Sequence, residues 1–424
     1  MESKSKQILM LAYYFPPLGG AGVQRSTKFA KYLAREGWQV KVVSVVPPSF
    51  EPVDPSLESE IRHQQITVEP VQYQPRFRKF DRIPGGWRVR SFLDEWFSFP
   101  DRMQGWLRPA LTKASKVCRE NPGIMIFSTS APYTAHLIAR ELKRQYGLPW
   151  VADFRDEWSQ NPYLSTIIPY HLQRHKKAEQ AVLHEADAVI SVTDTITQGL
   201  RKIAPDSKAI FQTIPNGFDP EDFAFIHALG LTQVHDKRWT LTHVGTLNKT
   251  RAELLLPLIQ TLKQLDARKV IPLSTVRLQL IGAGDWQNPE FSELDWIETQ
   301  NYLPHMEALK AMDQSDLAIL AESNPAAYTG KIFEYLGLQK PVLGLVHPQS
   351  PAAELIKEAE AGFVIGIGGG PGLEEALINA YQSWQMGVMP TKPKPDVIAR
   401  FNREHQAETL AQIMEQISGK NKRI

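Results

Sequence analysis

The chain has 424 residues, the length of two or three ordinary domains. Apolar residues make up 42% of it, enough for sizeable cores, which excludes disordered and fibrous proteins. Lys and Arg total 48 against 46 for Asp and Glu, which excludes binding to polyanions through bulk charge. Cys118 is the one cysteine, so an intramolecular disulfide, a CxxC redox site and a thiolate zinc site are excluded, and a reducing compartment is expected.

The first apolar run of the chain is short. Ile8–Phe15 follow two lysines and are closed by Pro16 and Pro17, so we predict a buried first strand and not a signal peptide. No stretch reaches the roughly 18 consecutive apolar residues that a membrane helix needs. From the sequence we therefore expect a cytoplasmic protein.

In the first half of the chain, short β-rich runs alternate with longer helical patterns, which is typical of βα units and parallel sheets. The predicted strands are Ile8–Tyr14, Gln39–Val45, Ile124–Ser128, Trp150–Asp153 and Ala188–Val192. The predicted helices are Arg25–Glu36, Ala135–Tyr146 and His175–Ala186. Turn-forming residues then interrupt the pattern over Thr213–Phe225, which indicates a domain boundary.

The second half repeats this alternation. Its predicted strands are Thr240–Val244, Arg277–Ile281, Leu317–Leu320, Pro341–Leu345 and Gly362–Ile365. Its predicted helices are Leu254–Leu265, His305–Gln314, Lys331–Leu338 and Pro351–Ala359. Apolar residues from Val397 to Ile417 recur at helical spacing and predict a last helix. By spacing alone, this helix could simply cap its own domain. The sequence therefore predicts two similar α/β domains.

Four stretches of the chain carry a family resemblance through their order and spacing. They are residues 14–25 (YFPPLGGAGVQR), 151–158 (VADFRDEW), 214–219 (IPNGFD) and 330–341 (GKIFEYLGLQKP). Together they resemble the GT4 family of retaining, nucleotide-sugar-dependent glycosyltransferases. The resemblance implies the GT-B fold, in which two Rossmann-like domains face each other across a cleft. It implies an acceptor domain at 1–220, a nucleotide-sugar domain at 221–395, and a C-terminal helix at 396–424 that crosses back to the first domain.

The resemblance also implies a function. A sugar would pass from a nucleotide-sugar donor to a sugar or lipid-linked acceptor with its anomeric configuration retained, in cell-surface polysaccharide or glycolipid synthesis. No cofactor and no bound metal are expected, which agrees with the lack of a clear Asp-x-Asp motif. Two alternatives stay open: a nucleotide-sugar epimerase of the same fold, and a non-catalytic nucleotide-sugar-binding or scaffold protein.

Cations in the second half are the predicted diphosphate-binding residues. Arg251 and Lys331 suit a leaving nucleoside diphosphate, because without a metal ion fixed cations must stabilise its growing charge. Family members often have an arginine directly after the glycine and a lysine a few residues later, in a Gly-Arg-Leu…Lys pattern. Here Thr246 stands at the position of that arginine, and Arg251 stands at the position of that lysine. Lys249 or Lys331 would then supply the second charge. Solvated cations on loops are the alternative.

A carboxylate completes the expected donor site. Glu334 resembles the second glutamate of the family's E-x7-E pair, which binds the ribose diol. A helix N-terminal acid would explain it equally well. Ala326 stands where the first glutamate belongs, so Glu322, Asn324 or nearby backbone amides would replace it. The resemblance adds further donor-binding positions, namely Gly245, Thr246, Thr329 and Gly330.

In the first half, glycines and one histidine are candidate site residues. Gly19, Gly20 and Gly22 lie between the first strand and the helix near Arg25, where backbone amides can approach an oxyanion. Their spacing is not GxGxxG, so no nicotinamide cofactor follows, and a plain tight turn is the alternative. His136 begins a helix, and the resemblance implies a place near the transferred sugar. By itself it would be an ordinary surface or core residue.

Charged residues in the first half suggest two more contacts. Asp153, Arg155 and Asp156 end a strand and form either an ion-pair cluster or an acceptor-binding group. The segment Arg76–Arg90 is rich in cations and aromatic residues, a pattern that extends to Trp96 and Trp106. It suits an anionic membrane surface, so we expect peripheral contact with the inner face of the cell membrane. The alternative is a solvated loop before a helix whose aromatic residues fill the core; nucleic acid is not expected.

Overall fold

A computed structural model describes residues 6–420 except for positions 50, 63, 75, 78, 81, 82, 84, 162–163, 165–168, 229–237, 248, 283–293 and 326–327. Ala326 and three charged residues of the segment Arg76–Arg90, namely Arg78, Asp81 and Arg82, lie outside the described residues, and so does the side chain of Lys249. The chain divides into two compact units, residues 1–215 with 404–424 and residues 216–403. The functional domains inferred above, with limits at 220 and 395, stay a prediction.

The described part of the first unit is a seven-stranded parallel sheet in the order β3-β2-β1-β4-β5-β6-β7. Its strands are β1 (Gln7–Leu11), β2 (Gln39–Val45), β3 (Ile66–Val71), β4 (Met125–Ser130), β5 (Trp150–Phe154), β6 (Ala188–Ser191) and β7 (Ile210–Thr213). Its helices are α1 (Ala21–Arg35), α2 (Pro55–Arg62), α3 (Gly86–Phe97), α4 (Leu107–Glu120), α5 (Thr134–Tyr146), α6 (Pro169–Glu185) and α7 (Asp194–Ile203).

The last helix of the chain, α15 (Arg403–Lys420), closes one face of this first sheet. Its residues Ala407, Leu410 and Met414 are wholly buried in a cluster with Ile8 and Met10 of β1. Apolar residues at helical spacing need such a surface, because burying one apolar side chain contributes about 1.5–3 kcal/mol. The last helix therefore packs in the first unit and does not cap the second.

The described part of the second unit is a six-stranded parallel sheet in the order β10-β9-β8-β11-β12-β13. Its strands are β8 (Trp239–Val244), β9 (Val276–Ile281), β10 (Ile297–Gln300), β11 (Leu317–Glu322), β12 (Val342–Val346) and β13 (Gly362–Ile365). Its helices are α8 (Pro220–Ala228), α9 (Lys249–Ala267), α10 (His305–Asp313), α11 (Lys331–Gly337), α12 (Pro351–Glu358), α13 (Pro371–Gln385) and α14 (Pro395–Ala399).

The predicted α/β class with parallel sheets is confirmed, and several elements differ from their predictions. The elements that the sequence analysis did not predict include the strands β3, β7 and β10 and the helices α2, α4, α7 and α13. In β3 the residues Glu69 and Pro70 interrupt the apolar pattern, and β10 is largely polar. Helix α8 begins at Pro220, inside the stretch predicted as turns. Helix α1 begins at Ala21 and not near Arg25, so Gly22 lies in its first turn.

Each sheet has a point where its strand order reverses. In the first unit this point lies between β1 and β4, and in the second between β8 and β11. The connections leave in opposite directions there, so a crevice forms at the carboxyl ends of the two strands, where open α/β sheets bind ligands. Among the described residues, no helix is long and apolar enough to cross a bilayer.

Candidate functional site

In the first unit, a buried ion pair joins α1 to β5. Arg25 is 1% exposed and Asp153 is 0% exposed. Arg25 Nε donates to both carboxylate oxygens of Asp153 at 3.1 and 3.0 Å, and its Nη2 donates to Oδ1 at 2.9 Å. Thr129 Oγ1 donates to Oδ2 at 2.8 Å. The carboxylate that the sequence suggested for acceptor binding thus makes the ion pair, and its partner Arg25 was not among the predicted site residues.

Arg155 ties the glycine-rich turn to the end of β4. Its Nε donates to Ser130 O at 2.5 Å, its Nη2 donates to Ala131 O at 2.7 Å, and its Nη1 donates to Gly22 O. Burial lowers the pKa of this guanidinium. Its three carbonyl partners supply acceptors for the buried N–H groups. The adjacent Asp156 is exposed. Of the three predicted acceptor-side residues, Asp153 and Arg155 make internal contacts, and Asp156 lies at the surface.

The glycine-rich turn itself has an open backbone. Gly20 immediately precedes α1 with a φ of 91°, a conformation that side-chain-bearing residues rarely adopt. Apart from its two chain neighbours, no atom of the described residues lies within 4 Å of a Cβ placed there. Gly19 N donates to Pro52 O at 2.8 Å, which holds the turn from the other side. Such a turn at a helix start allows a ligand to approach the main chain closely.

His136 is wholly buried on α5, and its ring centroid lies 4.5 Å from that of Phe154. Its Nδ1 lies 2.8 Å from Ser128 Oγ, which also accepts the indole N–H of Trp150 at 2.8 Å. The Ser128 hydroxyl hydrogen has no other acceptor among the described residues, so it points to Nδ1, which places the imidazole proton on Nε2. Nε2 has no partner among the described residues. Burial lowers the pKa to about 3, so His136 is a neutral imidazole with an unused N–H donor.

In the second unit, a turn between β8 and α9 is shaped by two glycines. Gly245 N donates to Ile281 O at 2.9 Å, and Leu247 N donates to Gly282 O at 3.2 Å. A Cβ on Gly282 would lie 2.6 Å from Gly245 O, and Gly282 has a φ of +94°, so this position requires glycine. Thr246 is exposed on the turn. The sequence analysis named Gly245 and Thr246 but not Gly282, whose conformation sets the turn.

Arg251 links this turn to the end of β11. Its Nη1 donates to Thr246 O at 3.2 Å, and its Nη2 donates to Glu322 Oε2 at 3.0 Å. Glu322 Oε1 accepts from Asn324 N at 2.9 Å. The side chains of Arg251 and Glu322 are 31% and 8% exposed. The structure therefore brings together the predicted diphosphate cation and the carboxylate suggested as a substitute for the missing family glutamate.

Lys331 and Glu334 also lie together, on the first turn of α11. Lys331 Nζ donates to Glu334 Oε2 at 2.8 Å, and His305 Nδ1 lies 3.9 Å from Glu334 Oε1. His305 Nε2 is 2.9 Å from Asp222 Oδ2, so the side chains of Asp222, His305, Glu334 and Lys331 form a continuous polar row. Just before this helix, Gly330 is exposed, and the buried Thr329 Oγ1 has no partner among the described residues.

A further histidine, His243, is 4% exposed near the end of β8. Its Nδ1 lies 3.1 Å from Ile319 O, and its Nε2 has no partner among the described residues. The sequence analysis missed it, although a histidine in the apolar run from Trp239 to Val244 was a visible signal. Tyr335, also missed, accepts from Val244 N at 3.1 Å and donates to Ile319 O at 3.4 Å.

The basic and aromatic segment forms an exposed surface around α3. Ile83, Trp87, Val89, Phe92 and Phe97 are each between 47% and 58% exposed. Three described cations, Arg76, Lys79 and Arg88, are also exposed. We call these eight residues the α3 surface.

The α3 surface corrects two readings of the sequence. Trp106 does not belong to it, because this residue is wholly buried and donates its indole N–H to Ser44 O at 3.2 Å. The alternative in which the aromatic residues fill the core is right for Trp106 and wrong for Trp87, Phe92 and Phe97.

Comparisons with known proteins agree with this geometry. Residues 19–217 match the family model described as a glycosyl transferase 4-like domain. A search of curated proteins gives no match. Solved structures do match. Sucrose-phosphate synthase from Thermosynechococcus elongatus is 18% identical with a TM-score of 0.62, and the match covers 98% of this chain and 100% of that chain. Anabaena HepE in complex with UDP and glucose is 17% identical with a TM-score of 0.64, and the match covers 97% of this chain and 99% of that chain. A UDP-forming α,α-trehalose-phosphate synthase from Burkholderia xenovorans is 15% identical with a TM-score of 0.65, and the match covers 98% of this chain and 99% of that chain.

These matches confirm two expectations from the sequence. The structural likeness spans nearly the full length of each chain and confirms the GT-B fold. The family model confirms the resemblance to GT4-type enzymes and the glycosyltransferase class.

The buried state of His136 predicts how stability depends on pH. The folded pKa is about 3 and the unfolded value about 6.5, so between these values the unfolded chain binds the proton and the folded chain does not. The free energy of unfolding therefore falls as pH drops from about 6.5 to about 3. We expect His136→Asn to reduce this slope by up to about 1.4 kcal/mol per pH unit, measured by urea unfolding across that range.

Phe154→Leu is the control for this prediction. It disturbs the packing around the ring but keeps the titrating group, so it should lower stability and leave the slope unchanged. An identical slope in His136→Asn and wild type would contradict the buried neutral state.

Proposed function

Because this chain is a glycosyltransferase with the GT-B fold and a glycosyl transferase 4-like domain, we propose that it uses a nucleotide sugar as donor and a sugar or lipid-linked molecule as acceptor, with retention of anomeric configuration. One observation carries this proposal. Arg251 binds the turn that follows β8, and Lys331 and Glu334 lie on the first turn of the helix that follows β11, and these are the two strands between which the strand order reverses. Anabaena HepE, of the same fold, was solved with UDP and glucose, which supports a nucleotide-sugar donor.

The two cations suit the leaving group of this reaction. When the bond from the sugar to the diphosphate breaks, negative charge grows on the phosphate oxygens, and fixed cations stabilise that charge without a metal ion. Arg251 is paired with Glu322 and Lys331 with Glu334. A diphosphate carries more charge than either carboxylate, so it competes with Glu322 and Glu334 for the two cations. The two carboxylates are then available to accept hydrogen bonds from hydroxyl groups of the donor.

The first unit supplies the remaining proposed roles. The space beside Gly20 allows an anion to approach the start of α1, and the Nε2–H of the neutral His136 is a donor for an oxygen of the transferred sugar. A neutral imidazole orients a sugar without competing for the leaving-group charge. In the same-face route to retention that we propose, the bond from the sugar to the diphosphate breaks as the acceptor hydroxyl attacks, and the departing phosphate accepts the proton of that hydroxyl.

A turnover experiment tests the proposed function and separates it from the two alternatives. The protein is incubated with UDP-, GDP- and ADP-sugars, candidate acceptors and excess EDTA, and nucleoside diphosphate release is measured. We expect release to persist in EDTA, because side chains and amides stabilise the leaving group. Complete loss in EDTA that magnesium or manganese restores would contradict this chemistry. An epimerised donor without release of nucleoside diphosphate would favour the epimerase. Binding of the nucleotide sugar without epimerisation or release would favour a non-catalytic protein.

Removing the Glu334 carboxylate should weaken nucleotide binding. We expect Glu334→Ala to reduce the affinity for the nucleoside diphosphate by about 1–3 kcal/mol, the scale of hydrogen bonds to a charged group. Calorimetry with UDP, GDP and ADP measures it. Glu307→Ala is a matched control, since Glu307 forms the same kind of pair with Lys310 three residues on, at 2.7 Å, but is exposed on α10. Unchanged affinity in a folded Glu334→Ala protein would disprove the assignment.

The α3 surface supports a proposed place of action at the inner face of a membrane. Trp87 and Phe92 are each 57% exposed, and the Arg88 guanidinium lies 5.3 Å from the Trp87 ring centroid. Exposed aromatic rings beside cations match the headgroup region of an anionic bilayer, where each cation contributes about 1 kcal/mol. The surface lies on the unit proposed to bind the acceptor, which suits a lipid-linked molecule.

Vesicle co-sedimentation tests this membrane contact. We expect the wild type to bind anionic vesicles more than neutral ones and to be released by salt. Two variants should each abolish binding. One is the double variant Trp87→Ser with Phe92→Ser, and the other is the triple variant in which Arg76, Lys79 and Arg88 are changed to Glu. Met386→Ser, an equally exposed apolar position in the second unit, should not. If the wild type and every variant stay in the supernatant, a soluble acceptor becomes the better proposal.

A further inference from the structure

His243 stands where β8 and β11 separate. The two strands pair in register up to His243 and Ile319, and no pairing between them is recorded beyond that point in the described residues. From there side chains take over: His243 Nδ1 and Tyr335 Oη both contact Ile319 O, at 3.1 and 3.4 Å. Val244 N donates to Tyr335 Oη instead of to a strand. The histidine is therefore part of the crevice at the point where the strand order reverses.

The protonation state of His243 follows from these contacts. A carbonyl oxygen can only accept, so Nδ1 carries the hydrogen and Nε2 carries a lone pair. Burial lowers the pKa to about 4, and the nearby Arg251 charge lowers it too, so the ring is neutral at pH 7. Its Nε2 is consequently a hydrogen-bond acceptor of fixed direction, opposite in character to the Nε2–H of His136.

The space beside this nitrogen is created by a glycine. A Cβ on Gly245 would lie 3.5 Å from Nε2, and the next nearest atom to it is also of the same ring. The missing side chain leaves room for a small ligand atom next to a lone pair that no described residue uses. A buried acceptor without a partner is unfavourable, so this nitrogen requires a donor from beyond the described residues, which a hydroxyl group of a bound ligand can supply.

We propose that His243 binds the nucleotide sugar directly, with Nε2 accepting a hydrogen bond from one of its hydroxyl groups. This inference rests on the proposed function and adds a ligand-binding residue to it. The partner is a hydroxyl and not a phosphate, because phosphate oxygens and the Nε2 lone pair are both acceptors. A purely structural role does not require a histidine here: Tyr335 already donates to Ile319 O, and the residue two places earlier on the same face of the strand, Leu241, is apolar and wholly buried.

Two substitutions separate the two nitrogens of the ring. In His243→Asn the amide nitrogen takes the place of Nδ1 and keeps the bond to Ile319 O, but the acceptor at Nε2 is lost. In His243→Gln the longer side chain puts an amide oxygen near the Nε2 position and loses the Nδ1 bond. Binding is measured by calorimetry with UDP and with UDP-glucose, GDP-mannose and ADP-glucose as probes, and folding by thermal unfolding.

We expect His243→Asn to weaken binding of the best nucleotide sugar roughly tenfold, the loss of about one hydrogen bond, with its melting temperature near that of the wild type. His243→Gln should recover most of the affinity. An equal loss for UDP and UDP-glucose would assign a ribose hydroxyl, and a loss for UDP-glucose alone would assign a sugar hydroxyl.

Equal affinity of His243→Asn and wild type would overturn the inference, because Nε2 would then face only water. Loss of affinity in both variants, each with a lowered melting temperature, would also overturn it, since it would mean a structural role. If the wild type binds none of the probes, the proposed donor class fails and this inference fails with it, a result that is distinct from wild-type binding without any effect of His243.

Discussion

Helices cover both faces of each parallel sheet, and this constraint decides where polar chemistry can stand. Strands β4, β5 and β8 are buried at every residue, so a polar side chain within them must find a partner or lie near the carboxyl end of the strand. The chain follows this rule closely. Ser128, Thr129, Asp153, His243 and Glu322 all lie in the last three residues of their strands. The candidate site residues are therefore consequences of the same burial that stabilises the sheets.

The two buried histidines show how one constraint produces two chemical characters. Burial keeps both rings neutral, with pKa values lowered to about 3 for His136 and about 4 for His243. Their tautomers differ because their Nδ1 partners differ. A serine hydroxyl, itself occupied by an indole, donates to His136, whereas a carbonyl oxygen accepts from His243. Among the described residues, the first unit is thus left with an unused donor at His136 Nε2 and the second with an unused acceptor at His243 Nε2.

Arg25, Arg251 and Lys331 are each held in an ion pair, because a charge that leaves water requires an opposite charge nearby. The Arg25–Asp153 pair is the most buried, and it is structural: every carboxylate oxygen has an internal partner. The Arg251–Glu322 and Lys331–Glu334 pairs retain partial exposure, with the two cations 31% and 23% exposed. The diphosphate proposed to bind these two cations would gain affinity only by the difference between its own attraction for them and the attraction of the carboxylates that it displaces.

The sequence by itself determined the features that local spacing controls. Alternating apolar runs and helical patterns were enough for the α/β class, since each pattern reflects how its own segment is buried. The Lys331–Glu334 pair was implicit in a spacing of three residues on a helix. The glycine-rich turn and the glycosyltransferase resemblance were also legible, because they depend on short runs of neighbouring residues.

Only the tertiary structure decided the features that join distant parts of the chain. Arg25 meets Asp153 across 128 positions, and Arg251 meets Glu322 across 71. The tautomer of His243 depends on a carbonyl 76 residues away. Trp87 and Trp106 look alike in sequence, yet one is 57% exposed and the other wholly buried. These four features share one physical reason. Burial and pairing depend on which distant segments the folded chain brings together, and a local residue pattern carries no information about those segments.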